Sequence, residues 1–283
     1  MAGDVEHHSP QARLLGAELR QLRTEAGFTV RALSAVIGLG PAAVSRYETG
    51  IRTPSEEILG RLLTALSIDS RRYDELMALG RRALGAHTAE SRSGPRKHLL
   101  NIAAFERAAD RIVHVAPLVV PGPLQTREYA DEVMSIVSGD EREVRVELRM
   151  ARGAAVLSGG RLEAIVAERV LAEGLGGPAV MRGQIRHLID VARGGEVRVR
   201  LIPRGGQRWT LAHNGSFVLF EFEKAAPIVH LEHYRGPAFL YDQKDVEAYR
   251  KALVNMDGTA LQPEESVELM EGIAEQWERS HAS

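Results

Sequence analysis

The sequence predicts an all-α N-terminal domain of five helices, followed by a C-terminal α/β domain with a mixed sheet of the α+β kind. Three observations lead to this fold class. Residues 11–84 contain only short helical patterns, separated by glycine, proline and capping residues. Residues 99–283 alternate amphipathic helices with short apolar runs of strand periodicity. The 283 residues, 44% of them hydrophobic, are enough for two cores.

Glycine and capping residues delimit the five N-terminal helices. Gly27 ends the first helix, Thr29 caps the second, and Pro41 suits the first position of the third because its missing N–H needs no partner there. The predicted helices are 11–26, 30–37, 41–49, a fourth after the cap at 53–55, and a fifth from Asp69 or Ser70 to residue 84. We expect residues 1–10 to be a disordered tail and residues 85–98, which are small, polar and aperiodic, to be a linker.

The C-terminal domain mixes both kinds of element. Val197, Val199 and Leu201 alternate with two arginines, as in a half-buried strand, and the short gap between the last two strands predicts an antiparallel hairpin. Predicted strands are 112–120, 162–168, 196–202, 216–222 and 227–232. Predicted helices are 99–111, 126–137, 140–157, 178–193, 243–256 and 263–280.

Composition excludes several classes of protein. The chain has no cysteine, which excludes disulfides, thiolate metal sites and a cysteine nucleophile. We find no signal-peptide pattern and no apolar run long enough for a membrane span, so we expect a cytoplasmic protein without membrane contact. Residues 11–82 contain eleven arginines and eight acids, whereas residues 99–283 have a net charge of −5. This asymmetry is expected when only one end of a protein contacts phosphate.

The second and third helices, with the tight turn 38–40, have the length of a helix-turn-helix. Leu33, Ile37 and Val44 are predicted to form the small core that fixes their angle. Residues predicted to contact DNA comprise four that face outward on the third helix, Ala42, Ala43, Ser45 and Arg46, and two phosphate clamps, Arg31 and Arg52. Arginine can pair with guanine, serine with a base edge, and alanine with a thymine methyl. The alternative is a helical bundle used for protein contacts; the basic charge favours DNA.

These residues resemble the XRE family, also called the Cro/repressor type. The matching stretches are 19–23, 26–29, 44–50 and 52–55. The resemblance implies that Glu48 is structural and pairs with an arginine of the first helix, for which we select Arg20. Many members have glutamine where this chain has Val30, so that backbone contact is either missing or supplied by Arg31.

A group of polar residues in the C-terminal domain is the candidate ligand or partner pocket: Gln125, Arg149, Arg152, Glu168 and Glu232. Arg149 and Arg152 lie three residues apart, on one face of a predicted helix. Together with Glu168 they either line a pocket, where buried charges need partners, or form a structural ion pair at a strand end. The sequence leaves both interpretations open.

The C-terminal residues resemble the domain of unknown function that follows XRE helices in actinobacterial WhiJ-like or antitoxin-like regulators. The matching stretches are 119–122, 124–126, 129–130, 168–171, 184–188, 201–203, 217–219 and 260–266. Two positions depart from the pattern, Pro123 in place of leucine and Gly153 in place of glutamine. The resemblance implies a regulator, sometimes encoded beside a small partner protein.

We expect no enzyme, cofactor or metal site. His230, Glu232 and His233 are the best metal candidates, but they end a strand and match no zinc spacing. The leading hypothesis is a transcriptional regulator that binds double-stranded DNA as a homodimer and senses an unknown small-molecule effector. The alternative is an antitoxin-like protein that sequesters a small cognate partner. The apolar stripe of the last helix packs on its own domain or forms a dimer or partner surface.

Overall fold

A computed structural model describes most of the chain, and it divides into two compact units. The described residues are 10–90, 95–137, 139–205, 211–223, 225–232 and 238–279. The first unit comprises residues 1–108 with 222–226, and the second comprises residues 109–221 with 227–283. The expected disordered tail lies outside the described residues except for Pro10, which begins the first helix.

The described residues of the first unit form six helices: α1 (Pro10–Glu25), α2 (Val30–Val36), α3 (Pro41–Glu48), α4 (Glu56–Ala65), α5 (Ser70–Glu90) and α6 (Pro95–Ala108). The Thr29 hydroxyl accepts a hydrogen bond from the Ala32 N–H at 3.1 Å, and the Asp69 carboxylate accepts one from the Arg72 N–H at 2.9 Å. These caps satisfy amides that the first helical turns leave without partners. The structure therefore confirms that Thr29 and Asp69 begin α2 and α5.

The core of the first unit forms where α1 to α5 meet. Leu33, Ile37 and Val44 are at most 3% exposed, as the sequence predicted. Leu59 and Leu63 of α4 are fully buried in the same cluster. The angle between α2 and α3 is thus set by apolar packing, with the polar side chains left for the surface.

The prediction of an irregular linker at 85–98 is wrong wherever the structure describes that segment. Helix α5 continues to Glu90 and α6 begins at Pro95, while residues 91–94 lie outside the described residues. Alanine and glutamate are good helix formers, so residues 86–90 continue the helix although they lack an apolar stripe. The division between the compact units falls after Ala108, beyond the predicted linker.

A six-stranded mixed sheet is the framework of the second unit. Its strands are β1 (Arg111–Ala116), β2 (Leu162–Ala167), β3 (Val197–Ile202), β4 (Phe217–Glu221), β5 (Ile228–Leu231) and β6 (Ala238–Leu240). Their order is β3-β2-β1-β4-β5-β6, with the first three parallel and the rest antiparallel. The mixed sheet and the β4–β5 hairpin confirm the prediction. The short strand β6 was missed, and β1 ends four residues earlier than expected.

The helices of the second unit are α7 (Arg127–Val133), α8 (Asp140–Leu157), α9 (Glu168–Ala172), α10 (Gly177–Arg193), α11 (Gln243–Asp257) and α12 (Pro263–Arg279). The apolar stripe of α12 packs within this unit, since Met270 and Ile273 are buried. The indole N–H of Trp277 donates to the carbonyl of Leu171 at 2.9 Å. This geometry favours the interpretation that α12 packs on its own domain.

Within the described residues, no helix combines the length and the apolar character needed to cross a membrane.

Candidate functional site

The turn between α2 and α3 has the short geometry that a helix-turn-helix requires. Gly38 adopts φ +66°, a left-handed conformation that side chains with a Cβ rarely take. The Leu39 N–H donates to the carbonyl of Ser34 at 2.9 Å, and Gly40 precedes Pro41 at the start of α3. The turn therefore passes from one helix to the next within four residues.

Helix α3 is held in place by an unusually close approach to α1. A Cβ atom added to Gly16 of α1 would lie 2.4 Å from the carbonyl oxygen of Tyr47 and 2.8 Å from that of Glu48. Such distances are far below van der Waals contact, so only glycine permits this approach. The C-terminal turn of α3 consequently rests directly on α1.

A bidentate ion pair fixes the same end of α3. The Arg23 guanidinium binds Glu48 through Nε at 2.5 Å and Nη2 at 3.0 Å, and its Nη1 donates to the carbonyl of Phe28 at 2.7 Å. The hydrogen bond with Glu48 raises the pKa of Arg23. Our selection of Arg20 as the partner of Glu48 is wrong, because Arg20 is exposed on the surface of α1. Both residues are arginines of one helix, and only the helix orientation distinguishes them.

The residues predicted to contact DNA lie on or beside α3. Ala42, Ser45 and Arg46 are exposed, whereas Ala43 is half-buried and packs against the core. Val44 is buried between them, as predicted. The exposed face of α3 thus offers one methyl, one hydroxyl and one guanidinium group.

Arg31 and Arg52, the predicted phosphate clamps, are both exposed. The backbone N–H of Arg52 donates to the carbonyl of Arg46 at 3.1 Å, so the segment after α3 folds back against the helix. In the described part of the chain, the side chains of Arg31, Arg46 and Arg52 make no hydrogen bond or ion pair with the protein. Their donors therefore face solvent.

The structure separates the candidate residues of the C-terminal pocket. Gln125 and Arg149 come together, with Nη1 donating to the amide oxygen at 2.7 Å. Glu168 instead accepts from the Arg204 N–H at 2.7 Å and lies 3.7 Å from its guanidinium, and Glu232 is exposed at the end of β5. For Glu168, the geometry is that of a structural ion pair at a strand end.

Arg152 lies one turn after Arg149 on α8, and both act on His114 of β1. Burial, together with the charges of Arg152 and Arg149, lowers the pKa of His114 to about 4. Sequence reasoning missed His114, although a histidine inside the apolar run of β1 was a signal of a buried polar group.

The structure explains why residue 153 is a glycine. A Cβ there would lie 2.8 Å from the carbonyl oxygen of Pro123, so glycine lets α8 contact the turn after β1. The glutamine expected at this position would disturb that packing.

A cavity of about 270 Å³ lies between α11 and the sheet. Its lining includes Val113 and Ile165, and its charged residues are engaged in ion pairs. Arg111 binds Glu163 and Glu221, each at 2.8 Å. The charges that line the cavity are therefore largely neutralised by ion pairs with other protein side chains. Side-chain ion pairs of this kind indicate a structural role.

The metal candidates are only partly described. His230 is buried and packs on Phe239 with ring centroids 4.9 Å apart, whereas His233 lies outside the described residues. Among the residues that the structure does describe, no group of three histidine or carboxylate side chains is arranged to hold a metal.

Comparison with known families identifies both parts of the chain. Residues 14–76 match the model of a helix-turn-helix domain. Residues 99–272, more than half of the chain, match the model of a domain of unknown function, DUF5753. Searches of curated proteins and of solved structures gave no match. The chain therefore belongs to the DUF5753 family and carries an N-terminal helix-turn-helix domain.

Proposed function

We propose that the protein is a sequence-specific DNA-binding transcriptional regulator of the XRE type, with a WhiJ-like C-terminal domain. The observation that carries this proposal is the exposed face of α3, where Ser45 and Arg46 point to solvent while Val44 and Tyr47 anchor the helix. A helix held this firmly, with free donors on its outer face, has the properties of a major-groove reader.

Each exposed group has a specific role in this proposal. Arg46 pairs with a guanine through its two N–H groups, Ser45 bonds a base edge or a phosphate, and Ala42 contacts a thymine methyl. Arg31 and Arg52 bind phosphates on either side of α3. Ala43, being half-buried, contributes less to the contact than the sequence alone suggested.

The regulator acts as a homodimer in the cytoplasm. Two copies of α3 must then reach successive major grooves, about 34 Å apart, on a roughly twofold-symmetric operator. The C-terminal domain senses an effector or a partner protein and thereby favours one arrangement of the two DNA-binding heads.

The first test is fluorescence anisotropy with the DNA upstream of the protein's own gene, at low and moderate salt. We expect wild-type binding that weakens with salt, and an affinity at least about tenfold lower in Arg46→Ala, the loss expected for one bidentate base contact. Arg71→Ala is the matched control, because Arg71 is an exposed arginine on α5, away from α3.

A second variant separates base contacts from phosphate contacts. Arg52→Ala should weaken binding to specific and unrelated DNA alike and reduce the salt slope by about one. If Arg46→Ala binds the operator as tightly as Arg71→Ala does, α3 is not the reading helix. If the wild-type protein ignores both sequence and salt, the function lies in partner binding.

A further inference from the structure

The turn between β4 and β5 belongs to the first unit, although both strands belong to the sheet of the second. The strands pair in antiparallel fashion, with Phe220 opposite Ile228 at the end nearest the turn. Residues 222–226, which we call the hairpin turn, group instead with residues 1–108. The chain therefore leaves the sheet, contributes a short segment to the unit that contains the helix-turn-helix, and then returns to the sheet.

Two contacts hold the hairpin turn against helices of the first unit. The Arg13 guanidinium on α1 donates through Nη2 to the carbonyl of Ala226 at 2.8 Å. The ring of Phe222 lies 6.3 Å from that of Phe105 on α6, measured between centroids, which is within the range of favourable aromatic pairs. Arg13 is 8% exposed and Phe105 is 1% exposed. The hairpin turn therefore packs on the interior of the first unit.

Arg13 also lies against the end of α3. A Cβ atom added to Gly50, just after α3 ends at Glu48, would lie 2.7 Å from the Cα of Arg13 and 2.8 Å from its backbone nitrogen. Gly16, one turn further along α1, makes a similarly close approach to the last turn of α3. Groups packed this closely have no space to move independently, so a displacement of Arg13 displaces the end of α3.

One residue of α1 thus contacts both the hairpin turn and the segment that ends the reading helix. The side chain of Arg13 binds the turn, and its backbone lies against Gly50. On the other side of the turn, β4 and β5 are almost fully buried. Because close-packed interiors transmit strain, a rearrangement of these strands is passed on to the hairpin turn.

We propose that the hairpin turn is the element through which the C-terminal domain regulates DNA binding. This inference rests on the proposed function and names how that same site is regulated. An effector or partner that shifts β4 or β5 shifts the hairpin turn, and Phe222 and Arg13 act as positioning residues for α3. Coupling between two sites is reciprocal, so DNA bound to α3 must in turn stabilise one arrangement of β4 and β5.

The first test is amide hydrogen exchange of the full chain without DNA. We expect Phe222→Ala to accelerate exchange in residues 41–50 at least about fivefold, because the loss of the aromatic pair lets the end of α3 open more often. Phe239→Ala is the matched control, since Phe239 is also half-buried but packs on the ring of His230 within the second unit. Equal exchange in the two variants would overturn the proposal.

The second test adds saturating DNA from the region upstream of the protein's own gene. In the wild type, we expect bound DNA to slow exchange in residues 217–231 at least about twofold, and we expect Phe222→Ala to abolish this slowing. A support that is merely structural would not respond to DNA. Bound DNA that leaves exchange in residues 217–231 unchanged would therefore contradict the proposed regulation.

Two controls keep the tests decisive. If Phe222→Ala does not fold, Phe222→Leu is compared with Phe239→Leu, because leucine removes the aromatic pair and keeps an apolar side chain. If the wild-type protein binds no DNA, that result contradicts the proposed function. The DNA-free exchange in residues 41–50 then still decides whether the hairpin turn supports α3.

Discussion

Arg46 on α3 and Arg200 on β3 carry the same guanidinium group in opposite surroundings. Arg46 is exposed, and in the described chain its side chain has no protein partner. Arg200 is 2% exposed and binds the Asp257 carboxylate at 2.5 Å and the carbonyls of Ala260 and Leu261 at 3.0 and 3.1 Å. One arginine is available to an external ligand, and the other secures the connection between α11 and α12.

The difference shows that the role of an arginine depends on which donors the fold leaves unused. An exposed guanidinium keeps its hydration and loses it only when a ligand arrives, whereas a buried one must have all its donors satisfied within the protein. Arg149 lies between these limits in exposure, because it is half-buried. The Gln125 oxygen accepts a hydrogen bond from Arg149, and the charges of Arg149 and Arg152 both lower the pKa of His114.

The largest effect should come from Arg200. We expect Arg200→Ala to lower the free energy of unfolding by about 4 kcal/mol, because it leaves buried carbonyls without donors and opens a cavity. Arg198 is exposed on the same strand, so Arg198→Ala should change the free energy of unfolding by less than about 0.5 kcal/mol. Urea unfolding followed by circular dichroism measures both. Equal losses in the two variants would remove the distinction between buried and exposed arginines.

A smaller effect is expected at the pair that supports α3. Arg23→Ala leaves Glu48, whose side chain is 7% exposed, without its partner, and should cost about 3 kcal/mol. Arg20→Ala is the control on the same helix and should be nearly neutral, because Arg20 is exposed. Chemical denaturation measures the loss of unfolding free energy in each variant. A larger loss in Arg20→Ala would restore our original assignment of the pair.

The smallest effect concerns pH. The folded-state pKa of His114 is about 4, below its ordinary value of 6.5. As the pH falls between these values, His114 binds a proton in the unfolded chain but stays neutral in the folded protein. Between pH 7.5 and 4.5 this should cost about 2 kcal/mol of stability.

His114→Asn removes that titration and should lose correspondingly less stability over the same pH interval. The measurement is urea unfolding of both proteins at each pH, with the wild-type acid loss as the reference. Identical acid losses would mean that the pKa of His114 is the same in the folded and the unfolded protein, and would contradict the lowered folded-state pKa.

Most of the fold was predictable because it depends on local patterns. Caps at Thr29 and Asp69, the turn at Gly38 and the alternation in β3 are read from a few adjacent residues. Helix α8 was predicted with its observed bounds for the same reason. The short strand β6 was missed because three residues carry too little periodicity to indicate a strand.

The sites were less predictable, because they depend on which distant residues meet. The choice between Arg20 and Arg23 follows from the rotation of α1 against α3, and sequence spacing alone does not give that rotation. Glu168 was grouped with Arg149, yet it binds Arg204 from the loop after β3. Arg200 was assigned to the polar side of a half-buried strand, and the α11–α12 connection covers that side.

The strand order has a consequence for the sequence of events during synthesis. Strand β1 lies in the middle of the sheet, but its neighbours β2 and β4 begin about fifty and about one hundred residues later in the chain. Chain segments far apart in sequence pair slowly, because loop closure must precede their contacts. The core contacts of α1 to α5 all lie within residues 10–90, so they can form once that segment has left the ribosome and before the sheet is complete. We therefore expect the helix-turn-helix of the nascent chain to be folded while β1 still lacks its partner strand β4.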